Sequence, residues 1–192
     1  LWIVGISNAV NFIDGVDGLA GSVVTISAVT LGLVAVAMSP TNAISALIAF
    51  ILAGSMLAFL TYNFNPAKIF MGDSGAVFSG IMLATLSVTG VMKTTALTMF
   101  VPIFVLSVPI LDITFSSLRR ILKGKSPFTP DAEHIHHKLL KAGMTQNQTV
   151  LILASVAVLS GALASVIVSS SITKYFLYAV GISLIMLFLS YL

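Results

Sequence analysis

The chain has 192 residues, of which 58% are hydrophobic and only 8% charged, with a formal net charge of +3 and a mean hydropathy of +1.10. That composition excludes an ordinary water-soluble domain and a disordered segment, and places the chain among membrane proteins. There is no cysteine, which excludes a disulfide framework and a thiolate metal site.

A helix needs about 20 apolar residues to cross a bilayer. Six stretches meet that length: Gly18–Met38, Ala43–Tyr62, Gly75–Met92, Thr95–Leu118, Thr149–Val168 and Tyr175–Leu192. The expected fold is all-α, a polytopic membrane helix bundle forming a single domain over residues 1–192. Leu1–Ile6 is apolar and too short to cross. The chain opens without Met and closes inside a span, so it reads as the C-terminal portion of a longer protein, with Leu1–Ile6 ending an earlier helix.

Alternate connections lie on opposite sides, so Asn8–Asp17, Asn63–Ser74 and Arg119–Gln148 share one face. That face carries Lys68, Arg119, Arg120, Lys123, Lys125, Lys138 and Lys141, against Lys93 and Lys174 opposite. The excess of basic residues makes it cytoplasmic. Asp14, Asp17, Asp73, Asp131 and Glu133 fall in the same three loops, with His134, His136 and His137. Either acids simply avoid hydrocarbon, or the loops share a task. Asp112 alone sits about two turns inside the membrane; it is either the one acid at a depth that suits an ion site or a partner of Arg119, seven residues along the same helical face.

In the first loop, "NAVNFIDGVDGLAGS", Asn11, Asp14 and Asp17 follow an i, i+3, i+6 spacing, which stacks them on one face if the stretch is helical. Gly15, Gly18 and Gly21 leave the backbone open to a ligand or a neighbouring helix. Such a strip suits a hard cation or the donor groups of a sugar or base. The alternative is a helix N-terminus with acids complementing the dipole, Asp17 serving as cap.

The second loop, "YNFNPAKIFMGDSGAVFSG", places Asp73 at a helix N-terminus, where exposed N–H groups favour phosphate. A carboxylate and an anion site adjoin only with a cation between them, and Mg²⁺ commonly takes one or two carboxylates plus phosphates. Phe70, Lys68 and the amides nearby suit a nucleobase and a phosphate; interfacial anchoring for Phe70 and topology signalling for Lys68 are the plainer readings. The third loop carries a basic cluster around Arg119 and Arg120, suited to anionic headgroups, a phosphorylated substrate or topology signalling. It then carries "DAEHIHHKLL", where His134 and His137 share a helical face. A zinc site with Asp131 or Glu133 lacks the spacing of helical zinc hydrolases. Contact with a pyrophosphate, or orientation of an acceptor, at a phosphoryl-transfer site fits the imidazoles better, and a surface cluster without chemistry stays open.

Taken together, "NAVNFIDGVDGLAGS", "YNFNPAKIFMGDSGAVFSG" and "PDAEHIHHKLLKAGMTQNQTV" resemble the polyprenyl-phosphate N-acetylhexosamine-1-phosphate transferases over nearly the whole chain. The His-x-His-His form is similar to the teichoic-acid and common-antigen branch, more than to the lipid I branch. The resemblance implies transfer of N-acetylhexosamine-1-phosphate, GlcNAc-1-phosphate above all, from a UDP-sugar to undecaprenyl phosphate with release of UMP. It implies Mg²⁺, with Mn²⁺ as substitute, held by Asp73. Asp14 and Asp17 would line the catalytic cleft with Asn11 and Gly15, and Asn63 and Phe70 would hold uracil. His136 and His137 would face the pyrophosphate, with Arg120 and His134 also at the substrate. A multi-pass protein of the bacterial cell membrane with a cytoplasmic active site follows, in contact with membrane lipids and not nucleic acid; a homodimer is left open. The family's paired-aspartate motif from an earlier loop has no counterpart here, which the expected truncation explains, so these residues alone are expected to be inactive. The rival readings are a secondary transporter, whose ion sites would lie near the midplane, and an intramembrane metallohydrolase built on the histidines.

Overall fold

The computed structural model describes residues 1–91, 100–124, 126 and 134–168. Among these the chain is all-helical: α1 (Trp2–Ile13), α2 (Leu19–Met38), α3 (Ala43–Asn63), α4 (Gly72–Val91), α5 (Val101–Val105), α6 (Ser107–Leu122), α7 (Ile135–Lys141) and α8 (Gln146–Val168), with a 3₁₀ turn at Pro40–Asn42. Three of the expected spans are helices long and apolar enough to cross a bilayer: Leu19–Met38, Ala43–Asn63 and Gln146–Val166. α4 covers the expected Gly75–Met92 segment up to Val91, and Tyr175–Leu192 lies outside the described residues.

The helices take their places by how much of each is covered. The apolar stretch of α2 is 78% buried, against 22% for α3, so α2 is the central post and α3 the periphery. α2 packs on α3, α4 and α8. Ile44, Leu47, Ile51 and Leu57 of α3 point outward, a large apolar face that only lipid or another apolar surface can cover. One core unites Val24, Leu31, Leu52, Leu83 and Leu106. A second lies towards the loops, where Ile13, Leu19, Val23, Val108, Val150 and Leu153 receive Ile135 and Leu139 of α7.

The expected span Thr95–Leu118 does not form one helix. Its first part falls outside the described residues, and the helix breaks at Leu106, between α5 and α6. The cause is Pro109, which has no N–H to give to the carbonyl four residues back. That carbonyl belongs to Val105, and it accepts instead from the Ser27 hydroxyl of α2 at 3.1 Å, with Ser27 fully buried. A freed backbone oxygen at membrane depth is thus satisfied by a neighbouring helix.

The contact between α1 and α4 fixes the site. A methyl added at Gly80 would lie 2.5 Å from the Cα of Ser7 and 3.1 Å from the Ile6 carbonyl oxygen, so the two backbones touch. The indole of Trp2 donates to the Ser87 hydroxyl at 3.0 Å. Higher numbers on α4 meet lower numbers on α1, so the helices run antiparallel. Asp14 lies seven residues after Ser7 and Asp73 seven before Gly80, so this register brings both to the same end at the same level.

Gly80→Ala is expected to cost about 1–3 kcal/mol by forcing α1 and α4 apart. Gly54 of α3 meets nothing within 4 Å, so Gly54→Ala is expected to be neutral or to stabilise by up to about 1 kcal/mol. Thermal unfolding of the two variants in detergent checks the ordering; equal melting temperatures would reject the close contact.

Candidate active site

The first loop is not the single helical strip that its spacing suggests. α1 ends at Ile13, Asp14 is its C-cap, with its N–H on the Asn11 carbonyl at 3.2 Å, and the chain turns through Gly18 at φ +78°, a value that favours glycine. The two aspartates therefore part company. Asp14 faces Asp73, which is exposed in the first turn of α4. Burial pushes the Asp14 carboxyl up to about 6, and the negative charge of Asp73 pushes it the same way.

Asp17 turns instead to the second loop. Its Oδ2 accepts from the Ala67 N–H and the Asn65 side-chain amide, both at 3.1 Å. It does not cap α2, whose N-cap is Gly18 without a side-chain bond. Asn65 also donates to the Gln146 side-chain oxygen at the start of α8, so one amide touches all three loops. Asn63, expected at a uracil, is 4% exposed and serves as a brace. Its Oδ1 accepts from Gly18 N–H at 3.0 Å and its Nδ2 donates to the Ile69 carbonyl at 2.8 Å. The chain beyond this brace presents Phe70 at 76% exposure, an aromatic face held out from a fixed loop. Lys68 is exposed beside it.

The third loop enters through α7. A methyl on Gly15 would stand 2.7 Å from Nε2 of His136, so glycine there admits the imidazole ring. His136 is 1% exposed, and both its ring nitrogens lack a hydrogen-bond partner among the described residues. An orphaned imidazole in such a place is costly unless a ligand meets it. Burial pulls it down to about 4, and the neighbouring His137 ring, centroids 4.2 Å apart, adds to the fall. His136 is therefore neutral at pH 7 and can give one hydrogen bond and accept another.

His134, also buried, makes its Nδ1 contact with Asp112 at 2.7 Å. Asp112 thus meets His134, across 22 positions, and not Arg119 as helical spacing leads one to expect. Arg119 and Arg120 both donate to the buried Ser116 hydroxyl, at 3.4 and 3.2 Å, at the cytoplasm-facing end of α6 as read from the sequence. Between α6, α7 and α8 opens a cavity of about 250 Å³ with an almost wholly apolar surface, lined by Ile13, Val108, Leu111, Ile152 and Val156, with Asp112 and His136 also among its lining residues. Among the described residues no three acids or histidines stand close enough to hold a metal on their own. Asp131 and Glu133 lie outside those residues.

The site thus gathers Asp14, Gly15, Asp73 and His136, with His134 stacked on His136 and His137 tilted against it. Asn11 sits half-buried one turn before Asp14, while Asp17 and Asn63 hold the loops together. Sequence reasoning misses Asn65, Gln146 and the role of Asp112. "NFNP" signals a turn, and an acid within a span signals a function, but neither names its partner.

Fold and site define a polytopic membrane protein whose loops build one acidic and imidazole cluster beside an apolar cavity. Residues 1–91 match the model of glycosyl transferase family 4. A Bacillus subtilis protein named "Probable undecaprenyl-phosphate N-acetylglucosaminyl 1-phosphate transferase" is 40% identical over 173 residues, 90% of this chain and 48% of its own length. The decaprenyl-phosphate N-acetylglucosaminephosphotransferase of Mycobacterium leprae is 39% identical over 168 residues, covering 78% of this chain and 42% of its own. The undecaprenyl-phosphate alpha-N-acetylglucosaminyl 1-phosphate transferase of Escherichia coli K12 is 31% identical over 157 residues, covering 79% and 42%. The chain is thus similar to these transferases over most of its length, and the match to glycosyl transferase family 4 covers its first 91 residues. The chain spans about half the length of the curated relatives it matches.

The depressed His136 value sets a pH dependence. An unfolded chain takes a proton on this imidazole below 6.5, the folded one only below about 4. Its contribution to stability is therefore complete above 6.5 and lost as pH falls towards 4. The melting temperature of the full-length protein should fall more steeply over that window than that of His136→Gln; identical slopes would contradict a buried neutral ring.

Proposed function

We propose that the chain is the part of a phosphoglycosyltransferase that transfers N-acetylhexosamine-1-phosphate, GlcNAc-1-phosphate above all, from a UDP-sugar to undecaprenyl phosphate. An oxygen of the lipid phosphate attacks the sugar-bearing phosphorus of the UDP-sugar. The bond from that phosphorus to the bridging oxygen breaks, and UMP leaves with that oxygen. The reaction would open the synthesis of a cell-envelope polysaccharide, wall teichoic acid or a related polymer, at the cytoplasmic face of the bacterial membrane.

The observation that carries this reading is the seating of His136 against Gly15, next to Asp14, whose own neighbour is Asp73. Two carboxylates, one of them held up by burial and further by the other's charge, form an oxygen-only donor pair that suits a hard divalent cation such as Mg²⁺ or Mn²⁺. Asp73, with Asp14 beside it, would hold that ion. It would supply neutralisation of the pyrophosphate, the condition for one anion to approach another. Neutral His136 would meet a phosphate oxygen or the attacking group through nitrogens that the protein leaves unpartnered among the described residues. Phe70 would stack on uracil from its exposed position. The cavity beside His136 has the apolar lining that an isoprenoid requires. The names of the three relatives share a polyprenyl phosphate and an N-acetylglucosaminyl phosphate unit, which supports both substrates.

With the full-length enzyme, radiolabelled UDP-GlcNAc and undecaprenyl phosphate, we expect lipid-linked product. Asp73→Asn should lower turnover by about 100-fold or more while the protein stays folded; near-normal turnover would remove Asp73 from the metal site. Phe70→Ala should raise KM for the UDP-sugar by about tenfold, from lost stacking, with little change for the lipid. Equal effects on both substrates would remove the stacking role.

A further inference from the structure

Asp112 is 2% exposed, on α6, within a segment expected to cross the membrane. A carboxylate there is expensive unless its oxygens are occupied. Both are. Oδ2 meets Nδ1 of His134 at 2.7 Å, and Oδ1 accepts the backbone N–H of Ile135 at 2.6 Å. Ile135 is the first residue of α7 and His134 its N-cap, so Asp112 does from another helix what a capping side chain does locally. An apolar residue of the same size would fill the space without the desolvation cost. What the carboxylate adds is direction.

The direction runs on to the site. The ring of His134 is stacked on Phe12 of α1, with centroids 5.4 Å apart, and lies almost parallel to His136, at 3° and 5.8 Å. His136 in turn rests against Gly15. We propose that Asp112 is a positioning residue for the histidine cluster: it locks the ring of His134 and the start of α7, and thereby holds His136 at the reacting groups. The carboxylate accepts only, so it keeps the proton of His134 on Nδ1 and turns Nε2 away from Asp112. The second half of the claim rests on the proposed transfer reaction; the first does not.

The test uses full-length enzyme carrying Asp112→Asn, with the closely similar shape but an amide that can donate. In ¹⁵N-histidine-labelled protein, with the signal assigned by its loss in His134→Gln, Nδ1 of His134 should bear the proton in the wild type and lose it in Asp112→Asn. An unchanged signature would overturn the proposal whether or not the enzyme makes lipid-linked product. In the transfer assay, Asp112→Asn should lower kcat per folded enzyme by about tenfold or more, with KM for the UDP-sugar within about threefold of wild type. A purely structural role would lower the yield of folded protein and leave kcat per folded enzyme unchanged, which would also overturn it. Asp112→Glu, which keeps the carboxylate, should regain part of the lost kcat. If Asp112→Asn does not fold, His134→Asn puts an amide nitrogen near the place of Nδ1 and should retain more kcat than His134→Ala; equal kcat in those two would reject the role.

Discussion

Two backbones touching at Ser7 and Gly80 set the geometry on which the rest depends. Because α1 and α4 run antiparallel through that contact, Asp14 and Asp73 come to the same level at one end of the bundle. Burying Asp14 is costly, the like charge of Asp73 adds to that cost, and the elevation of the Asp14 carboxyl to about 6 records both. A fold would not keep such a pair near a half-buried surface for stability alone. The energy to hold it comes from apolar packing elsewhere, chiefly around α2, which is covered on all its main faces.

The loops are then fastened by hydrogen bonds rather than by hydrophobic burial. Asn63 joins the first turn to the second loop, Asp17 joins it again, and Asn65 reaches on to α8. The third loop is seated differently, through Ile135 and Leu139 in the apolar core and through Asp112 at the start of α7. Polar fastening at the loop end leaves the exposed groups, Phe70 and Asp73, free to meet an aqueous molecule. The apolar seat of α7 leaves His136 beside a cavity fit for a lipid. The proposed reaction, between a water-soluble donor and a membrane-held acceptor, would need those two surroundings side by side.

Much of this arrangement is legible in the amino-acid sequence. Ionisable residues sorted into three loops on one face of a nearly charge-free chain announce a shared site, and Asp14, Gly15, Asp73 and His136 do come together. Local spacing misleads where a helix ends: Asn11, Asp14 and Asp17 form one strip only if α1 continues, and it stops at Ile13. The sequence shows the amide of Asn63 but not its burial. Pro109 is visible within an expected span, yet the break it causes depends on Ser27 of α2 being placed to satisfy Val105. Helical spacing pairs Asp112 with Arg119, whereas its partner lies 22 residues away on another element, a contact that only tertiary packing creates.

Manganese binding to the full-length protein, followed by the electron paramagnetic resonance of the free ion, tests the shared carboxylate site most directly. Asp14→Asn and Asp73→Asn should each weaken binding by at least about tenfold, since each removes one half of the same donor pair. Wild-type affinity in Asp14→Asn, with or without loss in Asp73→Asn, would mean that the two carboxylates do not serve one ion.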